Sequence, residues 1–242
     1  MLIGNHDIAK KVFIVAEIGN NHEGDEAMAV DMIHVAASCG ADAVKFQCID
    51  PEHLGDTPER KAQLKRICLP WEAFPRLHEY AMRCGVQFLC TPFNVAAVDF
   101  LDPYVPAWKI AGRDCDNWRL YGAAVATGKP MIVSCPAGKE VMVRSNLTVL
   151  MHVVSEYPTP PERANLTRAL MLPSPHGYSC HVSGIEACVG AVYMGARVIE
   201  KHFTLDHNQS DFRDHQHAAD PEELSEMVDR IRMAEVLCSN AG

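Results

Sequence analysis

The chain has 242 residues, 48% of them hydrophobic and 22% charged, with a formal charge of −9 at pH 7. That composition belongs to a folded globular protein, and its acidic balance excludes a broad basic footprint for nucleic acid or anionic lipid. No stretch approaches the roughly 18 consecutive apolar residues of a membrane span, and the first eleven residues lack the charged-then-apolar order of a secretory leader, so a cytoplasmic location is expected.

In chain order, residues 12–19 read as a first strand, followed by a helix over 25–40 that stops at Gly40. Residues 43–47 form strand two. The polar stretch 48–61 reads as a loop or a short helix. A helix opens at Leu69-Pro70-Trp71-Glu72 and runs to about Cys84, with Gly85 beyond it. Strand three spans 86–93 and a short helix 94–102. Strand four spans 107–112, a helix 117–128 and strand five 130–135. Residues 146–158 contain strand six, and a short helix follows at about 163–172. Strand seven is 176–181, with a helix at 184–195. Strand eight is 197–204, and a strong helix over 220–238 is capped by Asp220.

Eight strands alternating with helices predict an α/β fold, a (β/α)8 TIM barrel, as one catalytic domain over 1–242. A doubly wound sheet is the alternative, but GNNHEG after strand one lacks the glycine spacing of a dinucleotide turn. Only about ten residues separate strands five and six, too few for a full crossover helix. Helix five is therefore expected to be shortened or missing, leaving a flank that a partner subunit could cover.

Polar residues gather at the predicted strand ends, where such barrels carry their chemistry. They are Glu17, Lys45, Gln47, Thr91, Lys109, Ser134, Ser179, His181, Glu200 and His202. Lys45 and Lys109 share a parity and could point into one cavity. Buried lysines need an anion. It could be a bound carboxylate or phosphate, supported by the hydroxyls of Thr91, Ser134 and Ser179. Structural pairing with Glu17, Asp114 or Glu200 is the alternative, and a Schiff-base lysine a third. His181 and His202 end adjacent strands and could share a divalent metal with a carboxylate such as Glu17 or water; otherwise one is an acid–base group and the other packed. His207, His215 and His217 read as loop or surface residues. The ten cysteines form no CxxC pair and read as reduced, packed thiols, with Cys90, Cys135 and Cys180 nearest the strand ends.

AEIGNNHEGD, GADAVKFQ, FLCTPF, WKIAG, GKPMIVS, SEYPTP, GYSCH, GIEACVGAVYMGARVIEKHFTLD and PEELSEMVDRIR occur in that order between about residues 12 and 235. Together they resemble the sialic acid synthase (N-acetylneuraminate synthase) family. The resemblance implies a cytoplasmic transferase of carbohydrate biosynthesis. It condenses phosphoenolpyruvate with an open-chain N-acylated hexosamine or related aldose, giving a nonulosonic 2-keto sugar acid and phosphate. It also implies a divalent ion, Mn2+ or Mg2+, held by His181 and His202, with Glu17 as the catalytic carboxylate. Lys45, Gln47, Thr91, Lys109, Ser134 and Ser179 take the phosphoenolpyruvate positions, and Asp114 and Asp214 those that meet sugar hydroxyls.

The pattern is not kept throughout. Gly112-Arg113-Asp114 stands where the family has Ser-Gly-Glu, Cys180 replaces an acid beside His181, and Asp211-Phe212-Arg213-Asp214-His215 replaces Pro-Gly-Pro-Asp-His. Arg113 and Arg213 would suit a more anionic acceptor. Many relatives carry a further antifreeze-like domain that reaches over a dimer partner's site. The resemblance covers the barrel alone, so an open site is expected, or one closed by a homodimer partner or a separately encoded cap protein. A catalytically degenerate sugar- or protein-binding barrel and a metal-dependent aldolase or lyase are the competing functions.

Overall fold

The computed structural model describes residues 1–139, 141, 147–210 and 212–238. A hairpin of two short strands, β1 (Leu2–Ile3) and β2 (His6–Asp7), comes first. Eight parallel strands follow: β3 (Phe13–Gly19), β4 (Ala43–Cys48), β5 (Gln87–Pro92), β6 (Trp108–Ile110), β7 (Met131–Pro136), β8 (Thr148–Val153), β9 (His176–Cys180) and β10 (Val198–His202). Their ladders run β5-β4-β3-β10-β9-β8-β7-β6. The terminal strands β5 and β6 lie side by side without a ladder, bringing the sheet nearly round to a closed barrel. The predicted barrel is the observed one.

Strand periodicity divides the residues between two environments, because successive side chains leave a strand on opposite faces. Ile14, Ala16 and Ile18 face outward into the core shared with the helices, as do Val44, Phe46 and Phe88. Phe13, Val15, Ala43, Leu89, Ile132 and Met151 face inward and fill the lower barrel. Ile3 and Ile8 join that inner cluster and plug the bottom. The plug needs the backbone of Gly4 close to β5. Gly4 has φ +59°, and a Cβ there would lie 2.2 Å from Gln87 Oε1. Asn5 beside it accepts a hydrogen bond from Gln87 Nε2 at 2.8 Å. The sequence signal for this hairpin is Gly4-Asn5, a two-residue turn pair between Ile3 and His6.

The helices cover the outer face. α1 (Glu26–Ser38) is capped by Asp25, whose Oδ1 accepts from Ala27 N at 2.8 Å, and it buries Ala29, Met32, Ile33 and Ala36. The stretch expected to be a loop or one short helix holds two, α2 (Pro51–Leu54) and α3 (Pro58–Ile67). Thr57 caps the second, and Pro58 is fitted to its first turn. α4 (Phe74–Arg83), α5 (Val95–Leu101), α6 (Trp118–Ala126) and α7 (Glu186–Tyr193) fall where the sequence places them. The helix expected at 163–172 is instead two 3-10 segments, Pro161–Arg163 and Leu166–Met171. Between β7 and β8, residues 137–139 form no helix; the remainder of the expected fifth-helix gap, 140 and 142–146, lies outside the described residues.

α8 (Pro221–Cys238) closes the barrel. Asp220 Oδ1 accepts from Glu223 N at 2.9 Å while Glu223 Oε2 accepts from Asp220 N at 3.1 Å, a reciprocal capping box. Further along, Glu235 accepts from Val12 N, and Arg232 reaches Asp42 Oδ2 at 2.6 Å, tying the helix to the start of β3 and β4. No helix among the described residues is long and apolar enough to cross a membrane.

Candidate active site

The inward-facing positions change character one layer above the apolar fill. On β3 the sequence Phe13, Val15, Glu17 passes from aromatic to carboxylate, and on β10 Val198 gives way to Glu200 and His202. Lys45 is the register partner of Glu17, His202 pairs Glu17 from the other side, and Ser179 pairs Glu200. Adjacent strands thus carry these groups to one level at the carboxyl end of the barrel. They open into a cavity of about 1320 Å³, lined by Glu17, Lys45, Gln47, Thr91, Lys109, Ser134, Ser179, His181, His202 and Asp214 among others. Asp114 is the one proposed site residue that does not line it; Gly112 and Arg113 form that part of the wall.

Each lysine is held by a hydroxyl and a carboxylate. Lys45 Nζ lies 2.7 Å from Glu17 Oε2 and 3.6 Å from Glu200 Oε2, and donates to Thr91 Oγ1 at 3.0 Å. Lys109 Nζ donates to Ser134 Oγ at 2.9 Å and lies 3.4 Å from Glu200 Oε1. Ser179 donates to Glu200 Oε1 at 2.8 Å, and Gln47 Nε2 to Glu17 Oε1 at 2.8 Å. Glu200 is the residue whose importance the sequence understates. It stands between both ammonium groups, so it balances the cations while leaving them beside open space.

The two carboxylates are driven apart in acidity. Burial raises the Glu17 carboxyl, against the pull of Lys45. Burial alone would raise Glu200 too, but Lys109, Lys45 and the Ser179 hydroxyl hold it down to about 2. Burial would lower Lys45, yet Glu17 and Glu200 raise it on balance, while burial leaves Lys109 below its ordinary value. Glu200 is therefore the fixed anion and Glu17 the more basic of the two carboxyls.

His181 and His202 stand together, with ring centroids 5.5 Å apart. Burial lowers His181 to about 4 and His202 well below its ordinary value, so both imidazoles are neutral and keep a lone pair for a cation. His181 Nδ1 is 2.7 Å from the Val154 carbonyl, which it meets as an N–H donor; Nε2 is left for the cavity. The donor set fits a divalent ion.

Two expectations change, and one wall residue is new. His215 and His217 are fully buried rather than on the surface, because the segment that follows β10 folds inward as a 3-10 turn, Arg213–His217. Cys180 does not face the metal-ligand side. Strand alternation turns it into the outer core, where its thiol meets the Val182 carbonyl at 3.6 Å. Tyr157, 3.9 Å from His181 between ring centroids, forms part of the cavity wall that strand periodicity alone does not reveal. All ten cysteines are free.

Comparison with known proteins agrees with this geometry. The NeuB family model matches residues 32–241. An uncharacterized protein of Methanocaldococcus jannaschii is 41% identical over 96% of this chain and 74% of its own length. The N,N'-diacetyllegionaminic acid synthase of Campylobacter jejuni is 34% identical over 92% of this chain and 76% of its own. The crystal structure of an N-acetylneuraminic acid synthetase from Leptospira borgpetersenii, in complex with citrate, superposes with a TM-score of 0.91 at 31% identity. It covers all of this chain and 90% of that one.

Proposed function

Because the chain belongs to the NeuB family, we propose that it condenses phosphoenolpyruvate with the open-chain form of an N-acylated hexosamine, releasing phosphate and a nonulosonic 2-keto sugar acid. One observation carries the reading: two buried lysines, each with its own hydroxyl partner, face one cavity beside the buried Glu17 carboxyl. Lys45 and Lys109, with Thr91, Ser134 and Ser179, bind the phosphate and carboxylate of phosphoenolpyruvate, and Gln47 orients Glu17 beside them.

Carbon 3 of phosphoenolpyruvate attacks the aldehyde carbon and forms the new C–C bond, while the aldehyde oxygen takes up a proton from the Glu17 carboxyl, which is left as the carboxylate, and becomes a hydroxyl. Positive charge develops at carbon 2, and the Glu17 and Glu200 carboxylates stabilise it. Water adds to carbon 2 and gives a proton to Glu17. The bond from carbon 2 to the phosphate oxygen then breaks, the carbon 2 hydroxyl passes its proton to the departing phosphate, and the ketone remains. His181 and His202 would hold a divalent ion, Mn2+ or Mg2+, whose contribution when bound is Lewis-acid polarisation of the aldehyde oxygen. Asp214 contacts the acceptor's hydroxyls.

Arg60, Arg66 and Arg113 at the cavity wall suit an acceptor with an anionic group. The decisive assay measures phosphate release from phosphoenolpyruvate with Mn2+ and a panel of neutral and phosphorylated N-acylhexosamines. Turnover with at least one acceptor is expected; no release with any aldose sinks the reading. Activity without phosphoenolpyruvate would instead support an aldolase or lyase.

A further inference from the structure

His181 and His202 differ in how their inner nitrogens are satisfied. The inner nitrogen of His181 meets a carbonyl, as noted above, but His202 Nδ1 is buried with no hydrogen-bond partner. His202 lines the cavity, so Nε2 is the nitrogen left to it. A histidine that binds a metal through Nε2 carries its proton on Nδ1, and that N–H needs an acceptor which fixes the tautomer and ring orientation. A buried donor without one is costly.

The unmatched group has an unmatched neighbour. His217 is fully buried and neither of its ring nitrogens has a partner. Its ring lies edge-on to His202, with centroids 4.7 Å apart and planes inclined at 69°, closer than its 5.9 Å to His181. The segment carrying it is pinned from below. Lys201, which strand alternation points away from the cavity, donates to the His217 carbonyl at 2.7 Å and to the Val182 carbonyl at 2.5 Å. The 4.7 Å centroid separation sets the unpartnered His217 ring beside the unpartnered His202 Nδ1.

We propose that His217 is the positioning residue of His202, accepting a hydrogen bond from His202 Nδ1–H so that Nε2 presents its lone pair to the divalent ion. This rests on the reading of His202 as a metal ligand. His217 itself is not among the residues lining the cavity, which sets it behind His202 rather than beside the ion.

The test compares the wild type with His217→Leu, which keeps the volume and removes the acceptor, and His217→Gln, which restores one. His202→Ala is the reference. Mn2+ affinity is read from the EPR signal of free Mn2+, and the His202 tautomer from 15N spectra of histidine-labelled, metal-free protein. The Leu variant should bind Mn2+ about 10- to 100-fold more weakly and lose the single Nδ1–H tautomer, with Gln recovering most of both. An unchanged tautomer in His217→Leu overturns the proposal whatever the metal does, and so does unchanged Mn2+ affinity in that variant while His202→Ala loses it. Equal Mn2+ affinity in the wild type and His202→Ala overturns the underlying metal reading and the proposal with it. Pulsed EPR should count two coupled histidine nitrogens in both the wild type and the Leu variant; three falling to two would make His217 a ligand and overturn the positioning role.

Discussion

Glu17 and Lys45 are register partners on neighbouring strands, with Oε2 and Nζ 2.7 Å apart at the floor of the cavity. The pair puts a carboxyl raised by burial beside an ammonium that the two carboxylates keep charged. One neighbour can handle a proton while the other holds an anion.

Replacing Glu17 with Gln removes the proton acceptor and keeps the shape and the contact to Gln47. Phosphate release should slow by about 10²–10⁴-fold, with phosphoenolpyruvate binding, measured by calorimetry, changed far less. A variant that keeps wild-type kcat would remove Glu17 from the chemistry.

Glu200→Gln leaves Lys45 paired with Glu17 alone and takes from Lys109 the carboxylate it pairs with. Breaking a buried ionic cluster in this way costs about 3–5 kcal/mol, read as a lower urea midpoint. Adding a saturating anion such as phosphoenolpyruvate should recover part of that loss, since it supplies the missing charge. Equal urea midpoints for variant and wild type would contradict the central place given to Glu200.

Stability should fall as the solution is acidified from about pH 6.5 to 4. His22 and His181 are lowered by burial to about 4, His217 to about 2, and His202 well below its ordinary value. Across that window the unfolded chain binds protons that the folded chain refuses, so unfolding becomes easier as pH falls. A histidine held neutral down to about pH 4 contributes ~3 kcal/mol to this effect. Glu17 and Asp114 work in the opposite sense, since their raised carboxyls take up protons in the folded state first, but they are two groups against four. Urea titrations at pH 7, 6 and 5 measure the slope; a flat profile would mean that these histidines are already hydrated.

Ile3→Ala opens the plug at the bottom of the barrel, in the apolar layer below the lysines. The expected cost is about 2–5 kcal/mol, the range for a large-to-small change in a packed core. The melting temperature should drop while kcat at a permissive temperature stays within about twofold. A large loss of kcat with unchanged melting would mean that the hairpin communicates with the site.

Much of this was legible because strand periodicity is local. Glu17, Lys45, Lys109, Glu200 and His202 each end an apolar alternation, and the parity of that alternation assigns them to the inner face before any contact is known. The 48–67 region was harder, because α2 and α3 are short and polar and their start signals, Asp50-Pro51 and Thr57-Pro58, resemble those of turns. The family resemblance assigns Asp114 to the site. In three dimensions a 3-10 turn over Gly112–Asp114 brings Gly112 and Arg113 to the wall instead.

By itself the sequence determined the eight-strand alternation and nearly all the side chains that meet in the cavity, through short-range patterns of apolar and polar residues, and it resembled the family through motifs in a fixed order. Only the tertiary structure decided which partner each charge has. Glu200 stands between two lysines because β10 lies one strand beyond β4's neighbour β3 and across the barrel from β6, and His217 lies beside His202 because the segment after β10 folds back over Lys201. Such pairings join residues far apart in the chain, and they depend on barrel curvature and loop path, neither of which local periodicity encodes.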